Sequence, residues 1–87
     1  MDLKFITRVN EYTKVHYTAK ATIMDELPKI GDSLNGSVIT AIKEATVDTE
    51  NDDRVFEYDI YKVDTVFKYD DDDTVEDTEY IAIRKGE

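Results

Sequence analysis

The chain of 87 residues contains no cysteine. No disulfide can staple it and no thiolate can act as nucleophile or metal ligand, a usage that fits a reducing compartment. Proline occurs once, glycine three times and histidine once, at His16. The two serines, Ser33 and Ser37, share a turn-rich segment, and nothing marks either as activated. A Ser-His-Asp system needs a base set on the nucleophile and a group orienting that base, and one polar-side histidine does not supply them. With one His and no Cys, a structural zinc site lacks its ligands. The spacings GxGxxG, GxxxxGK[ST] and HExxH are absent. Carboxylate pairs for acid–base chemistry need an apolar pocket to separate their pKa values. A chain this short buries only about 60–65% of its unfolded surface, which leaves a thin core. The expectation is therefore no enzymatic activity, no cofactor and no specific metal site.

Long apolar runs are also missing. Nothing approaches the roughly 18 residues of a membrane span. The opening MDLKFITRVN lacks the basic start and apolar core of a signal peptide. These absences predict a single soluble domain over residues 1–87, in the cytoplasm. Six Tyr, three Phe and many Val and Ile mark it as folded rather than disordered.

What the second half lacks is positive charge. Residues 1–43 carry five acids and six Lys/Arg, a net of +1, whereas residues 44–87 carry sixteen acids and five Lys/Arg, a net of −11. An asymmetry of this size points to an interaction surface in the later half. It argues against direct binding to nucleic acid, whose affinity comes mainly from Lys and Arg on phosphates.

The dominant period along the chain is two. In VHYTAKATI, Val15, Tyr17, Ala19, Ala21 and Ile23 alternate with His16, Thr18, Lys20 and Thr22, the pattern of a half-buried strand. LKFITRV alternates more weakly, with Leu3, Phe5 and Val9 on one side, and the polar residues 10–14 are short enough to join the two as a hairpin. DELPKIGDSLNGS holds the only Pro and two Gly and reads as a turn-rich connection in which Gly31 and Gly36 permit positive φ. SVITAIKEATV carries both a helical stripe (Val38, Ala41, Ile42, Ala45) and β-branched residues that favour a strand, and strand is the preferred reading. In RVFEYDIYKVDTVFKY the apolar set moves from even positions (Phe56, Tyr58, Ile60) to odd ones (Tyr61, Val63, Phe67, Tyr69). A β-bulge near Ile60–Tyr61, bending one long strand, would restore a single buried face. EYIAIRK supplies a last strand.

The fold class predicted is all-β: about five antiparallel strands in a strongly bent sheet or small open barrel. The alternative is α+β with a short helix at 38–46. The expected core draws on Phe5, Val15, Tyr17, Ile23, Ile42, Phe56, Tyr58, Ile60, Val63, Phe67, Ile81 and Ile83.

The candidate partner-binding residues are acids: Asp48, Glu50, Asp52 and Asp53 in a turn, Glu57, Asp59 and Asp64 along the long strand, the run Asp70, Asp71, Asp72 and Asp73, then Glu76, Asp77 and Glu79. DDDDTVED lacks the D-x-D-x-D-G spacing of an EF-hand loop. Alternate residues of a strand stand about 6.6–6.8 Å apart on one face. One DNA strand carries a phosphate about every 3.4 Å of helix axis, so measured along that axis same-face carboxylates fall near every second phosphate step. Such a surface would dock on the basic groove of a nucleic-acid-binding protein, with steering making the encounter fast at low salt and tyrosines acting as anchors.

In size, acidity, lack of Cys and β-rich pattern, mainly over residues 44–79, the chain resembles the small phage-encoded proteins that block host defence, anti-CRISPR and anti-restriction DNA mimics among them. The resemblance is compositional, and no motif transfers residue by residue. It implies a viral protein acting in the host cytoplasm as inhibitor of a defence nuclease by nucleic-acid mimicry. The competing expectation is a structural or accessory module of a larger assembly, with acidic loops that serve only solubility and protect strand edges.

Overall fold

A computed structural model describes residues 1–8 and 12–86. Six strands follow one another: β1 (Asp2–Arg8), β2 (His16–Met24), β3 (Ser33–Leu34), β4 (Ser37–Glu44), β5 (Tyr58–Lys68) and β6 (Thr74–Arg84), with one turn of 3₁₀ helix at Val55–Glu57. They form a single sheet in the order β1-β2-β6-β5-β4-β3. The protein is all-β, as its alternation predicts, and the sheet is open rather than closed into a barrel. The expected antiparallel order fails at one place. β2 and β6 run parallel over Ala21–Met24 and Tyr80–Ile83. The β1–β2 hairpin and the β4–β5–β6 meander are each antiparallel, and the two units dock side by side in the parallel sense.

No helix forms at 38–46, and β4 explains why the sequence imitates one. Its register against β5 shifts between Ile39 and Ala41. The extra residue, Thr40, turns the period of two into a local spacing of three. Val38 and Ala41 then share one face, and Ile39 and Ile42 the other, an i, i+3 pattern produced by a bulged strand. The bulge expected near Ile60–Tyr61 is absent: β5 and β6 pair residue for residue from Tyr58↔Arg84 to Lys68↔Thr74. The apolar set changes parity because the sheet buries both faces, at different places. Leu3, Phe5, Ala21, Val55, Ile60 and Ala82 form one core. Ile39, Val63 and Ile81 form a second core on the opposite face, with Met24, Leu34, Ile42, Tyr61 and Ile83 packed around it.

The first core lies under residues 45–57, which leave β4, cross the face and reach the free edge of β1. There Thr7 and Val47 make an isolated bridge, and Asp48 N–H donates to the Ile6 carbonyl. The sheet therefore curls until β1 meets the continuation of β4, joined by one bridge and not a ladder. This crossover also corrects the expected core. Phe56, in the 3₁₀ turn, is exposed while its neighbour Val55 is buried. Val15, Tyr17 and Phe67 are exposed as well, and the small Ala21 and Ala82 fill the tight centre instead. The connection expected at 10–14 lies partly outside the described residues, as do Val9 and Glu87.

The turns follow their residue chemistry. Asn35 (φ 52°) and Gly36 (φ 87°) close the two-residue β3–β4 hairpin, where both positions need positive φ.

Candidate functional site

The acids expected to bind a partner fall in three places. Asp48, Glu50, Asp52 and Asp53 sit in the crossover, against β1 at one edge of the sheet. Glu57 and Asp59 stand at the base of β5, where Glu57 lies 4.0 Å from Arg84. Asp64, Asp70–Asp73, Glu76, Asp77 and Glu79 occupy the far half of the β5–β6 hairpin. One curved face does not hold all fourteen.

Asp48 is withdrawn from the surface and serves the fold. It is 4% exposed. One carboxylate oxygen accepts the Glu50 N–H at 3.0 Å, and the other lies 2.5 Å from His16 Nδ1 and 3.8 Å from Arg8 Nε. The Glu50 amide bond, and then the charges of His16 and Arg8, hold its carboxyl below the usual aspartate value, against the opposing pull of burial. His16, an exposed strand residue, is thus a hydrogen-bond partner of Asp48. Asn51 adds a feature that composition hides. Its Oδ1 accepts the Ile6 N–H at 2.6 Å, while its Nδ2 donates to the carbonyls of Ile6 (2.9 Å) and Asp48 (2.8 Å). One side chain does for the β1 edge what a neighbouring strand would do.

The hairpin is where charge concentrates. Residues 64–79 carry eight acids against the single Lys68. Four consecutive aspartates suit its tip because Asp tolerates the left-handed region and bonds its own backbone. Asp72 sits at φ 70°. Its N–H donates to the Tyr69 carbonyl, the Tyr69 N–H donates to the Asp73 carbonyl at 2.8 Å, and the Asp73 N–H donates to Asp71 Oδ1. Lys68 Nζ lies 3.2 Å from Asp72 Oδ1, with both side chains largely in solvent, so the pair adds little stability.

Below the tip the pleat distributes the acids. Asp64 and Glu76 fall on the face of the first core, and Asp77 and Glu79 on that of the second. Asp64 accepts a hydrogen bond from Thr78 Oγ1 at 3.2 Å. Among the acids stands a small apolar patch. Phe67 pairs directly with Val75, the Phe67 and Tyr69 rings meet edge to face at 4.8 Å, and all three side chains are exposed. Tyr80, further along β6, bonds Tyr17 through their hydroxyls at 2.7 Å. Burial, reinforced by that bond, pushes the Tyr80 phenol up.

Among the described residues, no group of three or more His, Cys, Asp or Glu is gathered closely enough to hold a metal ion. Nor is any helix among them long and apolar enough to cross a membrane. Fold and site together define a small all-β chain that carries eight of its 21 acids on the far half of one hairpin. Comparison with protein-family models, with curated proteins and with solved structures finds no match.

Proposed function

We propose that this protein is an acidic binding module that docks on a basic groove of a nucleic-acid-binding protein and excludes nucleic acid by mimicry, as an inhibitor of a nuclease would. One observation carries the reading: the far half of the β5–β6 hairpin sets eight acids against one lysine, four of them (Asp64, Glu76, Asp77 and Glu79) on a continuous antiparallel ladder and Asp70–Asp73 in the turn that closes it. A ladder holds carboxylates at fixed spacing, and fixed charge steers and orients a cationic partner. The docking element is then the hairpin, with Asp70–Asp73, Glu76 and Asp77 exposed and Glu79 half-buried behind them. The crossover acids Glu50, Asp52 and Asp53, together with Glu57 and Asp59, extend the negative field.

Capture from a host lysate at about 50 mM and at about 200 mM salt tests this, because contacts that replace phosphate contacts weaken steeply over that range. The expected result is a basic partner retained at low salt, released at high salt and displaced by added DNA or RNA. A partner indifferent to both salt and nucleic acid overturns the proposal. The second reading, an accessory module of a larger assembly, is favoured by the exposed Phe67, Tyr69 and Val75. Its binding would barely change across the same salt range and would be lost on replacing those three.

A further inference from the structure

The pairing of β6 stops short on one side. β5 covers it from Thr74 to Arg84, whereas β2 pairs only with Tyr80–Ile83. Among the described residues, no strand pairs with Thr74–Glu79 on the side away from β5. The ladder identifies which backbone groups this leaves open. Tyr69 N–H donates to the Asp73 carbonyl, Lys85 N–H to the Glu57 carbonyl and Ala45 N–H to the Ile60 carbonyl. In an antiparallel ladder the bonding direction alternates. The odd-numbered residues of β6 therefore bond to β5, and Thr74, Glu76 and Thr78 turn their N–H and C=O groups outward. The N–H of Thr78 is met by Asp77 Oδ1 at 2.8 Å, a carboxylate standing where a neighbouring strand's carbonyl would be.

We infer that this edge receives an extended basic segment of the partner protein, which adds to the sheet as a strand beside Thr74–Glu79. The inference rests on the reading of the hairpin as a docking element and adds its mode. Main-chain hydrogen bonds supply affinity in such strand addition, and alternate side chains supply specificity. Charge selects the occupant. Glu76 lies on one face of the edge and Asp77 and Glu79 on the other, so Lys or Arg at alternate positions of the incoming segment, which share a face, meets either Glu76 or the Asp77 and Glu79 pair according to register. Val75, beside Phe67, takes an apolar residue near the tip. A second copy of this chain is a poor occupant, since edge-to-edge pairing would set Glu76, Asp77 and Glu79 against their own likenesses.

The probe is a synthetic peptide of about ten residues alternating lysine and valine, long enough to match one strand. Hydrogen exchange of the intact protein is read with and without it at low salt. Strand addition slows exchange of the Thr74 and Glu76 amides by roughly tenfold or more, while Val75 and Asp77, already bonded to β5, change little. Glu76→Pro removes an outward N–H without breaking the β5 ladder, and Glu76→Gln matches its charge. Peptide affinity should fall roughly tenfold further in Glu76→Pro than in Glu76→Gln. A peptide that binds without protecting Thr74 and Glu76, and equally well to both variants, is held by charge alone; that overturns the strand addition and leaves the acidic docking reading standing. A peptide that fails to bind, with the Glu76→Gln protein self-associating, assigns the edge acids to preventing aggregation and overturns the inference as well.

Discussion

Replacing Asn51 with Ala should be among the most damaging single changes outside the two cores. Asn51 makes three hydrogen bonds, two of them to the N–H and C=O of Ile6. The Ile6 carbonyl keeps a second donor, the Asp48 N–H at 3.1 Å, so its loss is partial. The Ile6 N–H has Asn51 Oδ1 as its acceptor and would be left to water at a half-buried edge. Net worth per bond is about 0.5–1.5 kcal/mol, and an unsatisfied buried donor costs about 1–3 kcal/mol. Together these place the destabilisation at about 2–3 kcal/mol. For a domain of this size that is a fall in Tm of roughly 10–20 °C. Urea and thermal unfolding followed by circular dichroism read it directly. Asn51→Asp keeps an acceptor for Ile6 N–H but loses both donors, and at neutral pH it should be no better than Ala. An Ala variant within about 0.5 kcal/mol of the parent, the range of ordinary surface changes, would refute the view that this side chain substitutes for a strand.

Three further outcomes follow from other parts of the molecule. Asp48 titrates below its usual value in the folded state, so its contribution is present above pH about 4, the unfolded range, and is lost as pH falls through the lower folded value. Asp48→Asn should therefore flatten the acid limb of a Tm-against-pH curve while lowering Tm at neutral pH. Asp72→Gly relieves a left-handed residue and one charge of the tip, and should raise stability by about 0.5–1 kcal/mol in urea titration. Ile81→Ala opens a cavity in the second core, where Ile81 is 1% exposed, and should cost about 2–5 kcal/mol with no change in the salt dependence of partner binding.

Much of the architecture is legible in the chain because alternation survives wherever one face of a strand is buried. β2 reads directly from Ala19, Ala21 and Ile23, and the second half of β6 from Ile81 and Ile83, whereas its first half, Thr74–Thr78, is hidden in the acidic stretch. The reading goes astray where the physics is nonlocal. A change of parity along β5 signals either a bulge or two buried faces, and only the neighbouring strands decide between them. The helical stripe in β4 comes from Thr40, whose extra place in the register is visible only against Asp64 and Thr65. The parallel contact of β2 with β6 depends on how the β1–β2 hairpin and the β4–β5–β6 meander dock, which no local pattern records. The site shows the same division. The acidic run and its position between two strands are evident in KYDDDDTVEDTEY. That Asp48 turns inward to His16, while its neighbours Glu50, Asp52 and Asp53 carry their charge outward, depends on a crossover that reaches the opposite edge of the sheet. A lone His and an Asn in an acid-rich turn were the available signals, and neither distinguishes itself from solvated surface without a partner in space.

The central claim is that charge held on the β5–β6 hairpin drives association. Its most direct test is the slope of log affinity against log salt for the captured basic partner, compared between the parent and the variant with Asp70–Asp73 replaced by Ser. Weaker binding and a shallower slope in the variant are the results expected. Equal affinity with an unchanged slope would contradict the account.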